Sequence, residues 1–193
     1  MADWQTVLVV CAPLLVAYIV IELIRGTRPL AVALRASFFL YVVGLVSVTL
    51  FPMPVTHAEV VYTQALPQDL QRQFNLMPFA SMLETLRLPA RAAALQLVGN
   101  FMLLFPLGYL APLLWPRLSS LARVARLVVL TALAIEGLQF GISLLLGSWY
   151  KSVDVDDIIL NVAGGCIGYL AHTVMAPHLA AFDFSRSQAE RNP

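Results

Sequence analysis

Five apolar stretches, each long enough or nearly long enough to cross a bilayer, follow one another along this chain and leave little room for any other fold. A spanning helix needs about 20 mostly apolar residues. The stretches run from Val7 to Ile24, Ala36 to Met53, about Ala92 to Trp115, about Leu127 to Leu146, and about Ile158 to Met175. Charged residues make up 12% of the 193 positions, about half the share of a soluble domain. The expected architecture is an all-α, polytopic membrane bundle of about five helices. It forms a single domain over 1–180, with a short polar tail at 181–193. Net charge is +1, so nothing argues for a nucleic-acid partner. Cys11 and Cys166 both lie inside apolar stretches, which suits buried thiols and neither a disulfide framework nor a zinc site.

Charge placement sets the expected orientation. Nothing basic precedes the first stretch, so it does not resemble a cleavable signal. Arg25, Arg28 and Arg35 follow it, and Arg117, Arg123 and Arg126 fall between the third and fourth stretches. Basic loops stay in the cytoplasm, which predicts an external N-terminus and a cytoplasmic C-terminus. Eleven of the twelve basic residues are Arg, a composition that points to a GC-rich, bacterial source and hence the plasma membrane.

Against this apolar background a few polar side chains stand out. Asn100 interrupts the third stretch, Glu136 and Gln139 the fourth, and Asp154, Asp157 and Asn161 open the fifth. A carboxylate or amide in hydrocarbon is costly unless it faces the bundle interior and finds partners there. At about 1.5 Å rise per residue, Asn100 lies roughly 16 Å, Glu136 roughly 15 Å and Asn161 roughly 10 Å from the outer ends of their helices. These depths are compatible, so the groups are expected to converge in the outer half of the membrane. Asp154, Asp157, Asn161, Gly164 and Gly168 fall on one helical stripe. Gly164 and Gly168, like Gly137 and Gly141 beside Glu136, are spaced for close helix packing. The pairing expected from this spacing joins the fourth and fifth helices and brings Glu136 and Gln139 toward Asp157 or Asn161. Asp154 or Asp156 also suits an N-terminal helix cap.

The segment 54–91 is the one long connection. Ser81-Met-Leu-Glu84 matches a capping box, and two readings fit it equally: a short interfacial helix from about Met82 to Leu88, with Met82, Leu83 and Leu86 toward lipid, or a plain extracytoplasmic loop. Pro89 suits the first turn of the third spanning helix, and Pro106 is expected to kink it.

These pieces resemble the VanZ-like membrane proteins. The resemblance is carried, in order, by Asn75-Leu-Met-Pro78-Phe79, by Asn100 with Leu104-Phe-Pro-Leu-Gly108, by Glu136-x-x-Gln139, and by Asp154-Val-Asp-Asp157-x-x-x-Asn161 followed by Gly164 and Gly168, over about residues 75–170. One departure stands out. The family usually has an Arg shortly before the acidic run, and Lys151 is the nearest basic residue here. Lysine keeps the charge and loses the bidentate fork. The resemblance implies a bacterial envelope protein, in a family whose namesake confers low-level resistance to the lipoglycopeptide teicoplanin.

Three functions fit these residues. In the first, an outer-leaflet polar pocket of Asn75, Asn100, Glu136, Gln139, Asp154, Asp157 and Asn161 binds a lipid head group, a lipid-linked envelope precursor or an amphiphilic glycopeptide, without a cofactor. In the second, an intramembrane enzyme acts on a polyprenyl or phospholipid phosphate, with Glu136 as general base and Asp157 holding Mg²⁺. No His lies near the cluster in sequence, and neither G-x-S-x-G nor H-E-x-x-H occurs. The third is a proton-coupled transporter with Glu136 as carrier; no internal repeat supports it.

Overall fold

The computed structural model describes residues 4–51, 57–64, 74–147 and 151–189. Among the described residues there are seven α-helices, α1 (Trp4–Ile24), α2 (Pro29–Leu50), α3 (His57–Gln64), α4 (Ala80–Thr85), α5 (Ala90–Leu114), α6 (Leu121–Leu146) and α7 (Val155–Ala189), and a 3-10 turn at Pro116–Leu118. Two short strands, β1 (Phe74–Asn75) and β2 (Val153–Asp154), pair in parallel, Phe74 with Val153 and Asn75 with Asp154. The all-α multi-pass bundle expected from the sequence is what forms. Among the described residues α2, α5, α6 and the Val155–Ala176 part of α7 are long and apolar enough to cross a membrane. The first of the five stretches belongs to α1, whose described apolar part covers Cys11–Ile24. The backbone of α7 continues through Ala189, so the chain past Pro177 extends the last helix rather than leaving it. Helix α3 had no signature in the sequence reading.

The described faces are largely uncovered. Leu95, Leu130, Leu138, Leu145 and Val174 are all more than half exposed. A soluble monomer rarely shows so much contiguous apolar surface, and here the surface has the length of a lipid hydrocarbon layer. The interior is a slim core of Leu104, Leu107 and Ala111 from α5, Val124, Val128, Ala132 and Ile135 from α6, and Tyr169 from α7.

Glycine sets the tightest seam, between α5 and α7. A β-carbon built on Gly164 would lie 1.7 Å from the Phe101 carbonyl oxygen, and one on Gly168 would lie 2.1 Å from that of Phe105. On the other side of the seam, a β-carbon on Gly108 would lie 1.8 Å from the Gly165 oxygen. The two backbones therefore touch, and α5 and α7 run in the same direction. This corrects the expected pairing: the Gly164–Gly168 stripe receives α5, not α6. Gly137 and Gly141 pack against nothing, since a β-carbon at either would meet no atom within 4 Å. Helix α6 reaches α7 instead through Val128, whose methyls lie 2.5 and 2.6 Å from a β-carbon built on Gly165.

Pro106 lies inside α5 and the helix continues past it to Leu114. A proline removes the N–H that would serve the carbonyl four residues back, here that of Met102. The Tyr41 hydroxyl from α2 donates to the neighbouring Leu103 carbonyl at 3.0 Å, tying α2 to this turn. At the end of the bundle where α1 meets α2, Glu22 pairs with Arg25 at 3.2 Å and Arg35 at 3.1 Å and accepts from Thr27 at 3.0 Å. The opposite end gathers the end of α2, the start of α5, the end of α6, the start of α7 and both strands.

Candidate functional site at the acidic end

The β1–β2 pairing brings the segment before α4 against the segment before α7, and two aspartates fix them together. Asp154, 8% exposed, accepts on one oxygen from Asn75 Nδ2 at 2.8 Å and from the Asp156 amide at 2.9 Å. Its other oxygen accepts from the Ser81 hydroxyl. Asp154 is thus the N-terminal cap of α7 and a clamp on the α4 segment at once. Asp156, 1% exposed, accepts from the Phe79 amide at 2.5 Å and from the Met82 amide at 3.0 Å. These two N–H groups belong to the first turn of α4, whose own residues offer no side-chain cap.

The capping-box expectation is corrected by this geometry. Helix α4 starts at Ala80 and ends at Thr85, where Met82 to Leu88 was expected. Its cap comes from α7 across the bundle, and Ser81 lies inside the helix with its hydroxyl on Asp154. Phe79 makes the turn into α4 at φ 68°, a left-handed conformation uncommon for any residue but glycine; the two Asp156 bonds hold it there. Leu83 and Leu86 are exposed and Met82 is half-buried, the outward apolar face that an interfacial helix requires.

One turn into the bundle lies a second layer. Asn100 of α5 donates its amide to Asp157 of α7. Glu136 of α6, 5% exposed, accepts from the Asp154 amide at 3.1 Å. Asn161, 2% exposed, follows Asp157 by one turn of α7, and its carbonyl oxygen is buried without a partner. Asn100 thus meets Asp157, Glu136 meets the turn just before it through the Asp154 amide, and Asn161 lies one turn further along α7. Gln139 turns elsewhere: its amide donates to the Thr49 carbonyl at the end of α2, 2.8 Å away. Helix C-termini leave carbonyls unserved, and Gln139 answers one of them rather than Asp157 or Asn161. Gln96, one turn before Asn100, is exposed. Asn75 stays in the outer layer, bonded to Asp154 and, at 2.7 Å, to Ser81.

Lys151 occupies the position before the acidic run. Its ammonium donates to Thr49 O at 2.6 Å and Val48 O at 3.2 Å, and it lies within electrostatic reach of Asp157 and Glu136. Burial holds the ammonium below the usual lysine value, while Asp157 and Glu136 pull it part of the way back. The folded state then binds fewer protons than the unfolded one between the lowered value and about 10.4, so stability rises with pH across that window. Relative to Lys151→Met, the wild-type melting temperature in detergent is expected to climb as pH is raised from neutral toward about 10.4; a constant difference would show that Lys151 is not buried.

Among the described residues no three Asp, Glu, His or Cys side chains converge as a metal site would require. The polar groups of this end, among the described residues, bond chiefly to one another and to nearby backbone. A shallow apolar groove lies on α5, along Arg91, Ala94, Leu95, Val98, Gly99 and Met102.

Four apolar spans carrying a buried carboxylate–amide knot at one end define a multi-pass membrane protein built around that knot. Residues 38–176 match the VanZ/LLP1 family. The match covers well over half of the chain, which belongs to this family, one associated with the bacterial envelope and with antibiotic resistance. It takes in α2 from Phe38 onward, a helix that the motifs from Asn75 onward leave out. No curated protein and no solved structure matches the chain.

Proposed function

We propose that the protein is a bacterial plasma-membrane protein that binds the head group of a membrane amphiphile at its acidic end. The amphiphile is a lipid, a lipid-linked envelope precursor or an amphiphilic glycopeptide. The N-terminus lies outside and the C-terminus in the cytoplasm. The arginines between α1 and α2 and between α5 and α6 support this orientation, because they sit at the bundle end away from the acids. The acidic end then meets the outer leaflet.

One observation carries the reading: the second layer is more than the fold needs. Asp154 and Asp156 account for the caps and the clamp. Half-buried Asp157 and buried Asn161 add polar groups that close no further turn or strand, and such groups near or within a membrane are expensive and functional by default. The groove on α5 that starts at Arg91 offers an aliphatic tail a lane beside the head-group site. The acidic surplus repels phosphate, so binding is favoured over phosphoryl chemistry.

The test is native mass spectrometry of protein purified in mild detergent and exposed to lipids extracted from a bacterial envelope. The wild type is expected to retain a defined amphiphile. Asp157→Asn and Asn161→Ala are expected to lose it, and Gly137→Ala, on the open face of α6, to keep it. Identical retention by all four proteins would end the proposal.

A further inference from the structure

One acceptor at the acidic end is passed over by the donors around it. Each donor named below bonds elsewhere than to the Asn161 carbonyl oxygen. Asn75 serves Asp154 and Ser81, Ser81 serves Asp154, Asn100 serves Asp157, Gln139 serves Thr49 O, and Lys151 serves two α2 carbonyls. Acceptors are left over. The described contacts use one oxygen of Glu136 and one of Asp157, and they use no part of the Asn161 carbonyl. Charge leans the same way. Glu136, Asp154, Asp156 and Asp157 lie within electrostatic reach of one another or of Lys151, which is the one cation among them. A buried acceptor without a donor is costly, so a ligand that brings N–H or O–H groups gains where one that brings oxygens does not.

Resting on the head-group reading above, we infer that the head group bound here is a hydrogen-bond donor carrying a primary ammonium, with one N–H on Asn161 Oδ1 and the others on Asp157 and Glu136. A phosphate without an amine brings acceptors and negative charge, and is refused on both counts. A trimethylammonium carries the positive charge but has no N–H, and leaves Asn161 unserved.

Three lipids with identical chains separate these cases: phosphatidylethanolamine, phosphatidylcholine and phosphatidylglycerol. Each is titrated into purified protein in detergent, and bound lipid is counted by native mass spectrometry. The ethanolamine lipid is expected to bind about tenfold more tightly than either other, the effect of roughly one donor bond to a buried group. Free ethanolamine, without a chain, is expected to compete at millimolar concentration. Asp157→Asn and Asn161→Leu are each expected to bring ethanolamine-lipid binding down to the choline level. Asn161→Leu is also expected to melt no lower than wild type in the absence of lipid, because it removes an unserved buried oxygen. Tightest binding of the glycerol lipid, sensitive to either substitution, would overturn the ammonium and leave the head-group site standing. An ethanolamine preference that survives both substitutions would place the amine elsewhere and overturn it as well. Equal binding of all three lipids, indifferent to both substitutions, would give the Asn161 oxygen a donor from within the chain and sink both readings.

Discussion

Gly164→Ala is expected to destabilise the bundle by about 3 kcal/mol or more, at the upper end of what overpacking costs. The added methyl would come to rest 1.7 Å from the Phe101 carbonyl oxygen. That neighbour is backbone, so no rotamer change relieves the clash. Either α5 and α7 separate along the whole seam, or the helix hydrogen bonds around Phe101 distort. Gly108→Ala, facing the Gly165 oxygen at 1.8 Å, and Gly168→Ala, facing Phe105 O at 2.1 Å, are expected to behave alike. Gly165→Ala meets side-chain methyls of Val128 instead, and a smaller loss is expected. Gly137→Ala and Gly141→Ala meet nothing and are expected to be neutral or stabilising by up to about 1 kcal/mol through helix propensity. Thermal or SDS unfolding of the series in detergent reads these values. A Gly164→Ala protein as stable as Gly137→Ala would mean that α5 and α7 do not touch. Because Asn100 and Asp157 are brought together by the same seam, the three costly variants are also expected to lose amphiphile binding.

That contrast among glycines marks where sequence reading stops in a membrane protein. The spans were legible because a bilayer demands about 20 apolar residues in a row, and nothing else in the chain imitates that. The choice of packing face was not legible. In water, periodic hydrophobicity marks the buried side of a helix. In lipid the outer side is just as apolar, so Leu138 on the open face of α6 and Leu104 in the core of α5 look the same in sequence. Small residues become the remaining guide, and they show that a close approach is allowed without naming the partner. The spacing of Gly164 and Gly168 marks a packing stripe, and the helix it receives is α5 rather than the α6 that the polar groups suggest. Gly137 and Gly141 have the same spacing and no partner.

The acidic end was legible in part for a related reason. Polar residues in hydrocarbon must find one another, and helix rise fixes their depth, so Asn100, Glu136, Asp157 and Asn161 could be placed together from spacing alone. Gln139 escaped because its long side chain found a carbonyl at the end of α2, and no side-chain pattern records unserved backbone groups. The same applies to Lys151, whose visible partners are two such carbonyls. The role of Asp156 could not be read either. It depends on Phe79 adopting a left-handed turn and on a cap supplied from 77 residues away, and neither leaves a local signature.

Asp156→Ala is the second substitution expected to act strongly, and through a different mechanism. Asp156 is 1% exposed, and both its oxygens are used, on the Phe79 and Met82 amides. Hydrogen bonds to a charged group contribute about 1.5–3 kcal/mol each, so the loss of both is expected to cost roughly 3–5 kcal/mol. Asp156→Asn keeps one acceptor oxygen and is expected to cost about half as much. The damage should stay local. Asp154 still clamps Asn75 and Ser81, and the α5–α7 seam makes no use of Asp156. Amide hydrogen exchange is therefore expected to accelerate across residues 79–85 while the residues around Gly164 and Phe101 keep their protection. Wild-type protection of α4 in Asp156→Ala would show that lipid contacts of Leu83 and Leu86, rather than the cap, hold the helix. Asp157→Asn, one position along, is expected to leave α4 protected and to change ligand retention. If the neighbouring aspartates gave the same phenotype, the division between a latch that builds the acidic end and a layer that binds there would collapse, because that division assigns Asp156 only to structure and Asp157 to the ligand.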